Sequence, residues 1–229
     1  MSTSRNSALS LLDFATVIAT TAIAVLALWV ALQGPTEPIP THFDISGNPD
    51  RWGDRTEMAW LLVFLALMLG VIGGGLGLAI RRSDDASRRR SLKIGQFIAL
   101  ITIAGITPFI SLSMLRTATT GETVETSWVM AGISVLLVIV GAVLGRVGPN
   151  PVVGVRTPWT FKSRLAWDRS NRLAGRLMFW LGLAGLIAAP ILPSPLAIPT
   201  MIGLIVIAAA WSVFESWRVW RTDPDRQPF

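Results

Sequence analysis

The chain has 229 residues, 52% of them hydrophobic and only 15% charged, with a mean hydropathy of +0.56. A soluble globular chain carries about 25% charged residues, so this composition argues against an ordinary soluble domain and for the membrane class. With no cysteine, disulfides, cysteine zinc sites, haem attachment and thiol nucleophiles are excluded together, and the net charge of +6 speaks of partners only once it is mapped loop by loop.

The apolar residues come in long blocks. The first, Leu11 to Leu32, is long enough, at about 1.5 Å per residue, to cross a hydrocarbon core of about 30 Å. Arg5 precedes it, but the run is too long for a signal-peptide core and no small-x-small site precedes Gly34, so an uncleaved span is expected. Asp13 falls near its start, where a carboxylate favours a helix N-terminus. The second block runs from Met58 to Ile80 and carries Gly70, Gly73, Gly74, Gly75 and Gly77, small residues that let helices approach closely. The third runs from Ile94 to Leu115, with Pro108 inside it as an expected kink. The fourth runs from Trp128 to Leu144, a short fifth from Leu177 to Leu192, and the sixth from Leu196 to Phe214. Between the last two, Pro190, Pro193 and Pro195 make a tight uncharged turn, so these spans form a hairpin.

Lysine and arginine give the orientation. When the connectors are assigned to alternating sides, 17 of the 20 basic residues fall on one side, leaving Arg51, Arg55 and Arg116 on the other. The basic side is expected to be cytoplasmic. Trp29, Trp60 and Trp128 then fall at outer ends and Trp211, Trp217 and Trp220 near the last inner end, the headgroup levels that indole rings prefer. The expected fold is an all-α, polytopic transmembrane helical bundle of six spans with both ends inside. It divides into a two-span region, 1–93, with an acidic outer loop, and a four-span region, 94–229, with a basic cytoplasmic loop.

Two polar segments could carry chemistry. The outer one runs from Pro38 to Gly53, with Glu37, Asp54 and Glu57 beside it. Its Ser-Gly-Asn-Pro-Asp reads as a turn, preceded by an extended His42-Phe43-Asp44. His42 is the only histidine. With Asp44 and Asp50 it is the set a divalent ion would take, but turn capping explains the same residues more simply. The inner segment begins Gly148-Pro-Asn150-Pro151 and continues through Gly154, Arg156, Thr157, Pro158 and Trp159 as a loop. Ser163 is placed to cap a following helix, on which Trp167, Ser170, Asn171 and Ala174 share one face and Arg169, Arg172 and Arg176 another. A basic amphipathic helix of this kind suits an interface with anionic lipid. A specific site built on Arg156, Trp159, Trp167 and Asn171 is the sharper alternative.

No block holds a charged residue near its centre, which weighs against a proton-coupled transporter. No nucleotide loop or catalytic triad pattern appears, so an enzyme is not expected, nor is a resident metal or cofactor. Thr102, Thr107, Ser111 and Ser113 are the residues that would line a path in a rival solute or lipid transporter, although hydroxyls also satisfy backbone groups near Pro108.

Asn150-Pro-Val-Val-Gly154-Val-Arg156-Thr157-Pro158-Trp159-Thr160, with Trp167 and Arg172-Leu-Ala-Gly175, resembles the signature of the SdpI family. The outer Pro40, His42, Phe43, Gly47, Asp50 and Trp52 resemble a domain of unknown function often found ahead of it. Relatives usually carry Thr-His where this chain has Ser170-Asn171. The resemblance implies a multi-pass protein of the bacterial cell membrane that confers immunity to a secreted, membrane-active peptide toxin. Its implied partners are membrane lipids, that toxin and, in the best-known relative, a cytosolic transcriptional repressor held at the membrane. Direct contact with nucleic acid is not expected. The motif residues, Asn171 and Arg172 among them, are the implied functional positions.

Overall fold

A computed structural model describes residues 9–44, 46–122, 125–150 and 153–227. In chain order the elements are α1 (Leu11–Gln33), β1 (Ile39–Phe43), β2 (Pro49–Gly53), α2 (Arg55–Arg82), α3 (Ala86–Thr120), α4 (Thr126–Leu144), α5 (Pro158–Phe161), α6 (Arg164–Ala188) and α7 (Ser194–Thr222). Local chemistry sets several of the starts. Ser10 and Asp13 form a capping box on α1, Asp54 caps α2 through the Glu57 N–H, and Ser163 caps α6 through the Ala166 N–H. The turn around Pro190 and Pro193 ends α6, and α7 starts just beyond.

The helices overrun the apolar blocks, because hydropathy marks the part of a helix suited to lipid and not where the helix stops. Among the described residues five helices, α1, α2, α3, α4 and α7, are long and apolar enough to cross a membrane. The expected fifth span is the exception. α6 keeps Arg164, Asp168, Arg169, Arg172 and Arg176 in its first half, so the basic segment and the short apolar run are one continuous helix. The outer loop adds a two-stranded antiparallel ribbon, β1 to β2, to the otherwise helical chain.

The chain groups into two compact units, Met1–Asp84 with Gln96–Thr126, and Asp85–Gly95 with Ser127–Phe229. The region boundary at 93/94 lies inside α3, which contributes to both.

In the first unit, α1 and α2 run antiparallel with small residues in contact. A side chain on Gly73 would meet Thr16 at 2.7 Å, and one on Gly77 would meet Asp13. Gly74 and Gly75 face open space, so only part of the glycine run serves this helix pair. Val30, Ile39, Met58, Leu62 and Leu69 are fully buried and tie the base of the ribbon to both helices. In α3, Thr107 donates to the Ile103 carbonyl at 2.7 Å and Ser111 to the Thr107 carbonyl at 2.8 Å. These hydroxyls flank Pro108 and serve the backbone around it.

Asp13 does more than cap. Its Oδ1 accepts from the Gln96 amide at 3.0 Å and its Oδ2 from Arg81 at 3.2 Å, joining α1, α2 and α3. Asp13→Ala would strip both donors of their acceptor and remove the cap, so stability is expected to fall by about 1–3 kcal/mol. A thermal melt of the detergent-solubilised protein checks this; an unchanged midpoint would show that the cluster carries no weight.

In the second unit, α4 and α6 run antiparallel at glycine distance. A Cβ on Gly141 would lie 2.5 Å from the Phe179 nitrogen, and one on Gly182 would lie 2.6 Å from the Ser134 carbonyl oxygen. Because Gly185 lies level with Ser134, and Gly145 with Arg172, α6 runs alongside the apolar length of α4 despite its charged first half. Met130, Leu137, Ala189, Ala197 and Met201 form the apolar core that α4, α6 and α7 share.

Candidate functional site: a clamped loop over an apolar cavity

The inner motif folds into one locked structure in the second unit. Trp167 and Asn171, one turn apart on α6, are fully buried. The Trp167 Nε1–H donates to the Val147 carbonyl at 2.8 Å, and Asn171 Oδ1 accepts from the Val155 N–H at 2.8 Å. One helical turn therefore holds both ends of the 147–155 loop. Asn171 Nδ2 is spent on the Trp167 carbonyl at 2.9 Å, so both ends of the amide are bonded.

Gly154 explains its own place in the motif. Its φ is +126°, and a Cβ there would meet Asn171 Oδ1 at 2.5 Å and Trp167 at 3.1 Å. Both the backbone shape and the space require glycine. Asn150 shapes the loop from within, accepting from the Val153 N–H at 2.7 Å and donating to the Gly148 and Val153 carbonyls at 2.9 Å each. Ser91, at the start of α3, accepts from the Gly148 N–H at 2.9 Å.

Beyond the loop, Thr157 and Thr160 form a capping box on α5, and Pro158 takes the first helical position, where a missing N–H costs nothing. The buried Thr157 hydroxyl also meets the Ser216 hydroxyl of α7 at 2.9 Å, and Ser163 donates to Asp223 at 2.5 Å. The segment is thus fastened to both α6 and α7. Pro158 and Arg156 are exposed and Trp159 is half-buried. The sequence offered no signal for Ser91, Ser216 or Asp223, since their roles arise from contacts 57 to 60 residues apart.

Under this clamp lies a cavity of about 590 Å³, lined mostly by aliphatic side chains of α4, α6 and α7, with Val153 to Thr157 along its edge. Arg172 does not face it. It turns to a second cavity, with Arg146, Arg169 and Arg176. Arg156, Trp159, Trp167 and Asn171, the residues of the sharper alternative, take different places. Trp167 and Asn171 are the clamp, and Arg156 is at the cavity edge.

The outer motif forms the ribbon. Pro40 pairs with Trp52, and Pro40 is buried while Trp52 is exposed. Proline is tolerated here because both strands of a two-stranded ribbon are edges. Phe43 packs on the apolar core, and Gly47 takes the positive φ of 87° that the turn needs. His42 Nδ1 lies 2.6 Å from Asp50 Oδ1 on the exposed face. Asp44 closes its own turn, accepting from the Ser46 and Asn48 N–H groups at 2.8 Å each. Among the described residues no three histidine, aspartate or glutamate side chains gather as a metal site.

The Asn48 N–H, with the other turn donors, holds the Asp44 carboxyl below the usual carboxylate range. A depressed carboxyl stabilises above its unfolded pKa, and that contribution disappears as pH falls through the lower, folded value. The turn is therefore expected to hold throughout neutral and mildly acidic pH and to loosen only at strongly acidic pH. Amide exchange at Ser46 and Asn48 across that range is the check, and loosening near pH 6 would contradict it.

Long apolar helices, antiparallel pairs at glycine distance and a proline-glycine loop clamped at both ends define a multi-pass helical membrane protein. Residues 146–216 match the SdpI/YfhL protein family, and residues 16–67 match a domain of unknown function, DUF1648. The first match runs from just after α4 through the clamp into α7; the second takes in most of α1, the ribbon and the first half of α2. The immunity protein SdpI of Bacillus subtilis (strain 168) is 27% identical over 90 residues, which is 39% of this chain and 43% of that protein's length. No solved structure matches significantly. Residues 146–216 are thus similar to the SdpI/YfhL family, within a multi-pass helical membrane protein.

Proposed function

We propose that the chain is an immunity protein that protects a bacterial membrane against a membrane-active peptide and relays that peptide's presence to a cytosolic regulator, by binding and without catalysis. The observation that carries this reading is the coincidence of the SdpI match with the clamp. The matched segment, 146–216, contains the buried Trp167 and Asn171, the required Gly154 and most of the lining of the apolar cavity they cover. A cavity of about 590 Å³ lined mostly by aliphatic side chains accepts an apolar group, and a hydrophobic peptide brings one. In this reading 94–229 is the responding region, and 1–93 presents the ribbon with His42, Phe43 and Trp52 to the outside. A relay needs a second arrangement of the loop with different ligand affinity. The few bonds from Asn171 and Thr157 are the ones such a switch would break.

The test is to express the chain in a sensitive bacterium and challenge it with membrane-active peptides, beside an Asn171→Leu variant. Protection by the wild type that the variant loses supports the reading. No protection against any peptide, with no transcriptional change on deletion of the gene, refutes it. Sidedness is tested separately with a reporter fused after Gly53, which is expected to be active outside the cytosol.

A further inference from the structure

The second cavity, of about 750 Å³, lies between α4, α6 and α7 in the second unit, and its polar lining is dominated by Arg146, Arg169, Arg172 and Arg176. Glu215 also reaches it, but both its carboxylate oxygens are taken by Arg218 at 2.8 Å. Among the described residues none of the four arginines has an ion-pair partner. Four like charges around one concavity repel one another at close range, so the arrangement favours an anion that can bridge them.

Guanidinium groups bind phosphate through paired N–H donors, with geometry as well as charge. The cavity wall then distinguishes a lipid from a soluble phosphate. Trp180 stands one turn beyond Arg176, 65% exposed, where α6 passes from its charged half into the apolar run that begins at Leu177. An indole at such a boundary suits the headgroup level of a bilayer. A soluble anion would have no use for that wall, whereas an acyl chain would lie along it.

We infer that this cavity binds the phosphodiester headgroup of an anionic phospholipid, held by Arg146, Arg169, Arg172 and Arg176 with its acyl chains along the Trp180 face of α6. The site is separate from the clamp and its cavity, and does not depend on any toxin.

The experiment is native mass spectrometry of the intact chain released from nanodiscs of phosphatidylglycerol and phosphatidylcholine mixed in equal parts, with inorganic phosphate as the soluble competitor. The wild type is expected to retain phosphatidylglycerol selectively. The double variant Arg172→Gln/Arg176→Gln is expected to retain about tenfold less, with its thermal midpoint measured alongside to show that it is folded. If that variant does not fold, the single variant Arg169→Gln on the exposed rim carries the same test with a smaller expected loss. Arg88→Gln/Arg90→Gln removes the same charge at the exposed start of α3 and is expected to leave retention unchanged. Equal retention of the two lipids, equal loss in the Arg88/Arg90 variant, or displacement by millimolar phosphate would each overturn the proposal, the last by assigning the cavity to a soluble anion.

Discussion

Gly141→Leu is expected to drive α4 and α6 apart and to produce the largest loss of stability of any single substitution considered. A Cβ at position 141 would lie 2.5 Å from the Phe179 nitrogen and 2.7 Å from the Gly175 carbonyl oxygen. Both are backbone atoms of a helix, so no rotamer change relieves the clash and the helices themselves must separate. Overpacking a well-fitted site costs about 1–3 kcal/mol, and a contact with rigid backbone belongs at or above the upper end of that range. Gly74→Leu is the matched control. It adds the same bulk at a position with nothing within 4 Å, and leucine favours the helix over glycine by close to about 1 kcal/mol. Thermal unfolding in detergent should therefore show a large drop for position 141 and none for position 74. Similar drops at both would mean that the α4–α6 contact is not the close one described.

Asn171→Leu is expected to release the 147–155 loop while leaving the helices folded. The change keeps an approximately equal volume but removes the acceptor for the Val155 N–H and the donor to the Trp167 carbonyl. Leaving buried partners unsatisfied costs about 1–3 kcal/mol, and here the cost falls on a loop, so local opening precedes global unfolding. Trypsin cutting after Arg156 reports that opening directly. Faster cleavage in the variant, with the helical melt little changed, is the expected result. Asn171→His restores a side-chain acceptor at this position. It should slow cleavage relative to Asn171→Leu, separating loss of the hydrogen bond from a change of shape. Equal cleavage of wild type and Asn171→Leu would remove Asn171 from the clamp.

The sequence alone determined the membrane class and the approximate place of the five long apolar helices, because burial in lipid demands long uninterrupted apolar runs and leaves them visible. It also placed the Ser163 cap, the turn before Pro49 and the shared face of Trp167, Ser170, Asn171 and Ala174, which depend on spacing along a single element. Other features required the tertiary structure. The continuity of the basic helix with the short apolar run in α6 is invisible to hydropathy, since charge and lipid burial divide one helix into two compositions. The link from Asp13 to Gln96, 83 residues on, and the latch of Thr157 on Ser216, 59 residues on, join positions that no local pattern relates. The tertiary structure also separated glycines that look alike in sequence, placing Gly73 and Gly77 against a neighbouring helix and Gly74 and Gly75 in open space. It likewise assigned Asn171 to the loop clamp and Arg172, its neighbour in the chain, to a different cavity. Residues adjacent in sequence point in different directions around a helix axis, and which surface each meets is fixed only when the helices pack.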